Sequence, residues 1–224
     1  MDGLRFSTDD GVSLEADLRG PEDPPVGSAV LCHAHPRHGG SKDHPLLWAI
    51  SNELVVRRHT VLSFNFRGVL GSGGSFGGGR AEVRDVAAAV ARVRMDAPGP
   101  TLVCGWSFGA MVALHEALED PSVAALALVG LPLAEHGLEV PAAPTPSELR
   151  AFRRPVLLLS GQGDQFSPRP ELELVAGRLP AAELVVLPGT DHFFWRRERE
   201  AAAAVGRFVE TTVTPSPTER PLGP

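Results

Sequence analysis

The chain has 224 residues, 43% apolar and 21% charged, with a net charge of −6. It is long enough to bury a core without disulfides or a structural metal, and its acidic balance argues against a broad nucleic-acid-binding face. Only two cysteines occur, Cys32 and Cys104, so no disulfide framework is available.

The elements are read in chain order. Leu4–Ser7 reads as a short strand, and Asp9-Asp10-Gly11 as a hairpin turn. Val12 to Leu18 alternates apolar and polar, as a half-buried antiparallel strand does. A Pro-rich loop leads to Ser28–Cys32, a continuous apolar run suited to a strand buried on both faces. Residues 43–58 carry Leu46, Leu47, Ile50, Leu54 and Val55 at helical spacing, with Asp43 expected as N-cap and Pro45 in the first turn.

Thr60–Phe66 is the next expected strand, followed by a Gly-rich loop from Gly68 to Gly79, expected to be flexible and close to the cleft. Residues 81–95 form a second helix, Thr101–Cys104 a buried strand, and Phe108 to Leu118 a helix. Strands are expected at Val123–Val129, Val156–Leu159 and Leu184–Leu187, with helices over Leu172–Leu179 and residues 196–210. Residues 131–152 are Pro-rich and weakly patterned.

This alternation predicts an α/β fold: a mostly parallel twisted sheet of about eight strands, helices on both faces, and an antiparallel N-terminal hairpin at the edge. A single domain is expected over residues 1–212, with a disordered tail at 213–224. No basic segment followed by a long apolar one opens the chain, and no apolar run reaches the roughly 18 residues of a membrane span. A cytoplasmic protein with no membrane and no nucleic-acid partner is the expectation. Oligomeric state is not readable.

The strongest chemical signal is Gly105-Trp106-Ser107-Phe108-Gly109, a Gly-x-Ser-x-Gly at a strand-to-helix junction. A Ser in such a turn exposes its hydroxyl, and the small residues let strand and helix pass close together. A hydroxyl is a poor nucleophile without a base, so a His and an acid are required. Asp164 follows the Val156 strand in Gly161-Gln162-Gly163-Asp164, and His192 follows the Leu184 strand in Thr190-Asp191-His192. His192 is the candidate base and Asp164 its orienting acid; Asp191 is read as a loop-ordering residue. Backbone N–H groups of Phe108 and His35 are the candidate oxyanion donors.

The ordered set His33-Ala34-His35-Pro36-Arg37-His38-Gly39-Gly40, Asn65-Phe66-Arg67-Gly68 and Gly105–Gly109 resembles the α/β-hydrolase superfamily. It is most similar to small, lidless bacterial serine hydrolases of the dienelactone hydrolase and carboxylesterase group. The likeness spans residues 28–210. Ala34 departs from the Pro of the family's loop, and Ser107 stands where strict dienelactone hydrolases carry Cys. The resemblance implies little or no cap and an open cleft. It also implies cleavage of small or medium esters or thioesters through an acyl-enzyme on Ser107, with no cofactor. Acyltransferase and peptidase chemistry run on the same site, and a catalytically silent binding scaffold is the rival from another class.

Further residues bear on the site. His33 and Phe76 are candidate substrate contacts. Arg67 suits either an anionic substrate group or an ion pair with Asp85. His33, His35, His38 and His44 form a dense cluster, but they lack the spacing of a tetrahedral metal set, so no metal is expected. The run Gly71–Gly79 lacks the Gly-Lys-Ser/Thr ending of a phosphate loop. Cys32 and Cys104 are expected on neighbouring strands as buried thiols, and Trp106 beneath the Ser107 turn.

Overall fold

A computed structural model describes residues 4–97, 99–134 and 137–212; the expected tail at 213–224 lies outside the described residues. Eight strands form one sheet in the order β1-β2-β4-β3-β5-β6-β7-β8. They are β1 (Leu4–Ser7), β2 (Ser13–Arg19), β3 (Gly27–Cys32), β4 (His59–Phe64), β5 (Thr101–Trp106), β6 (Val123–Val129), β7 (Val156–Gly161) and β8 (Ala182–Leu187). β1 and β2 form the antiparallel edge hairpin, and β2 also meets β4 antiparallel. All remaining pairs are parallel.

The hairpin turn closes as the Asp-Asp-Gly signal requires. Gly11 takes φ +82° and its N–H donates to the Thr8 carbonyl at 3.0 Å. Strands β3, β4, β5 and β7 are buried along their whole length, which explains their largely apolar sequences.

Two layers of helix cover the sheet. α1 (Pro45–Val56) and α6 (Glu198–Thr212) pack one face, where Leu46, Ile50, Val205 and Phe208 meet Leu31, Leu102 and Leu157. α2 (Arg80–Asp96), α3 (Phe108–Glu119) and α5 (Arg169–Ala176) pack the other, where Val86, Val90, Met111 and Leu172 meet Val30, Val103 and Leu128. Each fully buried Leu or Val contributes about 1.5–3 kcal/mol of hydrophobic stabilisation. Cys32 and Cys104 are both free and buried, but they point to opposite faces of the sheet and so do not meet.

Three local differences from the sequence reading have physical causes. His44, not Asp43, caps α1: its Nδ1 accepts from the Leu46 N–H at 3.3 Å, while Asp43 pairs with Lys42. The Asn65 N–H still donates to the Glu15 carbonyl, but β4 ends at Phe64 because the Ser72 hydroxyl donates to the Asn65 carbonyl and the Phe66 N–H donates to His33 Nε2. A short helix, α4 (Pro146–Ala151), occupies the Pro-rich stretch, started by a capping box in which the Thr145 hydroxyl and Glu148 satisfy each other's N–H groups. Between β6 and β7 the described residues hold this six-residue helix and no larger helical cap.

Candidate active site

The parallel strands aim their C-terminal ends at one edge of the sheet, and the chemistry collects there. Ser107 sits between β5 and α3 with φ +57° and ψ −121°, a conformation that is strained for a residue with a β-carbon. The neighbouring glycines make the bend sterically accessible. A Cβ on Gly105 would lie 2.2 Å from the Gly109 carbonyl oxygen, and one on Gly109 would lie 2.4 Å from that of Cys32.

The Ser107 hydroxyl lies 2.8 Å from His192 Nε2, and His192 Nδ1 lies 2.9 Å from Asp164 Oδ2. The three residues predicted from separate loops are thus joined in one hydrogen-bonded line. With the carboxylate accepting at Nδ1–H, Nε2 is left free to accept the serine proton. Asp164 is held by the N–H groups of Phe166 and Ser167, which donate to its Oδ1 at 2.9 and 3.0 Å. All three side chains are nearly buried. Asp191 instead accepts from the Phe193 N–H at 3.0 Å and orders the loop.

The sequence did not reveal two supports of this line. Trp106 is buried, and its indole N–H donates to the His192 carbonyl at 3.1 Å, fixing the loop that carries the imidazole. Gly130, at φ +55°, lies under the pair: a Cβ there would come within 3.0 Å of the His192 ring and 3.3 Å of Asp164 Oδ2. Nothing in its local sequence marks Gly130, because only the fold shows what faces it.

The loop after β3 carries His35 beside the Ser107 turn, its ring 5.1 Å from that of Phe108. A single 3₁₀ turn follows at Pro36–His38. His35 Nδ1 accepts from the Arg37 N–H at 3.2 Å, and its Nε2–H donates to the Glu139 carbonyl at 3.0 Å. Burial holds this imidazole below its ordinary pKa, which keeps the neutral tautomer that both bonds need. Phe108 opens α3, so its N–H has no acceptor inside the helix.

Two of the candidate substrate contacts, His33 and Arg67, serve the scaffold instead. His33 is fully buried: Nδ1–H donates to the Ala34 carbonyl at 2.6 Å and Nε2 accepts from the Phe66 N–H at 3.0 Å. Burial pushes its pKa down to about 4, so it is a neutral strut between two loops and does not reach the cleft. All three guanidinium nitrogens of Arg67 are engaged by Asp10 and Asp85 at 2.7–3.1 Å, and the residue is 5% exposed. The Arg67 hydrogen bonds hold the Asp10 carboxyl well below the usual carboxylate range. Arg67 is therefore a structural ion pair, the second of its two readings.

Phe76 is half-buried, with its ring 5.0 Å from His35 and 5.7 Å from Phe108. The Gly-rich loop that carries it is fastened rather than loose: Glu82 accepts from the Gly77 and Gly79 N–H groups, and Glu15 from that of Gly71. Among the described residues no three of His, Cys, Asp and Glu are grouped to hold a metal ion. His33, His35 and His44 each spend ring nitrogens on the backbone instead.

Residues 27–211 match the model of the alpha/beta hydrolase domain family. The chain belongs to the α/β-hydrolase family. Among solved structures, this hydrolase domain is similar to a lidless α/β serine hydrolase of Xanthomonas campestris. The two are 26% identical with a TM-score of 0.78, covering 96% of this chain and 95% of that one. An α/β serine hydrolase homologue of Coxiella burnetii is also 26% identical, with a TM-score of 0.79 over 91% and 95% of the two chains. An uncharacterized protein of Rickettsia prowazekii is 27% identical over 192 residues, 82% of this chain and 78% of its own. These likenesses support a hydrolase. Among the described residues no helix is long and apolar enough to cross a membrane.

Proposed function

We propose that the protein is a serine hydrolase that cleaves small or medium carboxylic esters or thioesters through an acyl-enzyme on Ser107. The observation that carries the reading is the unbroken line from the Ser107 hydroxyl through His192 to Asp164. In the first step Ser107 Oγ bonds to the substrate carbonyl carbon as its proton passes to His192 Nε2. Asp164 keeps Nδ1–H in place and stabilises the imidazolium. The carbonyl oxygen becomes an oxyanion facing the Phe108 and His35 N–H groups; loss of one such donor typically costs about 10²–10³ in kcat.

The bond to the leaving alcohol or thiol then breaks, and His192 returns the proton to the departing oxygen or sulfur. In the second half His192 takes a proton from water, the water oxygen attacks the acyl carbon, and the free acid leaves as Ser107 recovers its proton. Water is the only co-reactant in this balance, and no cofactor enters it. A substrate of modest size is supported by the six-residue α4 between β6 and β7, which offers long chains no helical cover. Phe76 is assigned to the acyl side, where it adjoins the two oxyanion donors.

The test is a panel of p-nitrophenyl esters and matched thioesters of rising acyl length, followed by intact mass after acid quench. The reading expects turnover that falls off for long chains, and a transient acyl adduct on the peptide carrying Ser107. Inert protein with no adduct on any member of the panel would overturn it in favour of a binding scaffold.

A further inference from the structure

The segment after β8 bends back through two bulky residues in the left-handed region, Phe194 at φ +54° and Arg196 at φ +64°. Such a backbone is costly for residues with a β-carbon and persists only where the surroundings enforce it. Phe194 does the enforcing. It is fully buried in the core between the sheet and the α1–α6 layer. With Phe194 turned in, its neighbours Phe193 and Trp195 are turned out, 42% and 59% exposed. Two large apolar rings are thus held at the surface by a strained, anchored turn.

Of the two, Phe193 adjoins the imidazole of His192. Phe193 meets it edge-to-face at 5.6 Å. Trp195 lies farther off, 6.0 Å from the His44 ring, which is itself tilted against Trp106 at 4.2 Å. Phe166 packs against His192 at 4.6 Å. In acyl transfer the departing group receives its proton from the base, so it must lie beside that imidazole. The oxyanion donors and Phe76 stand on the His35 side of Ser107 and suit the acyl part.

We propose that Phe193, with Phe166 on the same imidazole, forms the leaving-group subsite, and that the preferred substrates are esters or thioesters whose leaving alcohol or thiol carries an aromatic ring. This rests on the hydrolase reading above and names its substrate class. An aromatic ring gains edge-to-face or offset contacts with exposed, rigid rings that an alkyl group of equal size does not.

The experiment compares kcat/KM for the ethyl, cyclohexylmethyl and benzyl esters of one short acid. The leaving groups are all primary alkoxides, so the benzyl and cyclohexylmethyl pair separates aromatic contact from size. Wild-type protein is expected to favour benzyl over cyclohexylmethyl by about tenfold. Phe193→Ala and the apolar but non-aromatic Phe193→Leu should each bring that ratio to near one. Leu174→Ala, at another exposed apolar residue on α5, should leave the ratio as in wild type. Wild-type protein that hydrolyses all three esters without benzyl preference would overturn the inference and leave the hydrolase reading standing. So would a preference that survives both Phe193 variants. Protein that hydrolyses none of them and takes up no fluorophosphonate would overturn both.

Discussion

Ser107, His192 and Asp164 come from three loops, and each follows the end of a strand. The contrast between the two acids tests how the imidazole is oriented. Asp164 bonds to Nδ1 of the ring, whereas Asp191 bonds only to the backbone of its own loop. Asp164→Asn is expected to lower kcat by orders of magnitude more than Asp191→Asn, as steady-state kinetics on one ester would show; the reverse order would move the acid. Trp106 acts through His192 and is a positioning residue. Trp106→Phe keeps a ring beneath the turn but removes the N–H that holds the His192 carbonyl. One buried hydrogen bond of about 1 kcal/mol predicts about a fivefold loss in kcat with KM unchanged.

These residues differ in how far they could be read from sequence, and the reason is distance. Ser107, Asp164 and His192 were legible because each carries a local signature, a strand end followed by small residues. Trp106 and His192 are 86 positions apart, and Arg67 and Asp10 are 57 apart. Nothing in either neighbourhood signals its partner, so Arg67 stayed open between two roles and the Trp106 contact was not foreseen. His33 was misplaced because a His beside the oxyanion loop reads as a cleft residue until both ring nitrogens are seen bonded to backbone.

At the scale of elements, the fold was legible from periodicity because the buried strands are short, mostly apolar runs separated by amphipathic helices. The boundaries that moved did so where a side chain replaced a backbone partner, as His44 does at α1 and His33 and Ser72 do past the end of β4. α4 was missed although Thr145 and Glu148 carry its capping box, because the surrounding prolines masked a helix of six residues. Close approach of elements sets the next expectation. Gly109→Ala would drive a methyl into the β3 backbone at Cys32 and His33, and is expected to destabilise the protein by about 2 kcal/mol or more in urea unfolding. Gly130→Ala, facing the His192 and Asp164 side chains at positive φ, should lower kcat more than a loss of stability of that size explains.

Across the whole molecule, buried ionisable groups shape stability against pH. Glu116 on α3 is 4% exposed, and burial, with Asp120 and Glu119 nearby, raises its pKa to about 7 from 4.5. The folded protein therefore binds this proton more tightly than the unfolded chain does. The group's contribution is fully present below about pH 4.5 and is lost as pH rises through 7. Glu116→Gln should raise the Tm at pH 8 and leave it little changed at pH 4.5, as paired thermal melts would show. An equal shift at both pH values would mean that packing, not charge, is responsible.

The proposed chemistry as a whole depends on Ser107 being the nucleophile. Intact mass spectrometry after exposure to a fluorophosphonate, with peptide mapping, measures that directly. Wild-type protein should gain one phosphonyl adduct on the peptide spanning Ser107, and Ser107→Ala should gain none. An unmodified wild type, or an adduct that persists in Ser107→Ala, would contradict it.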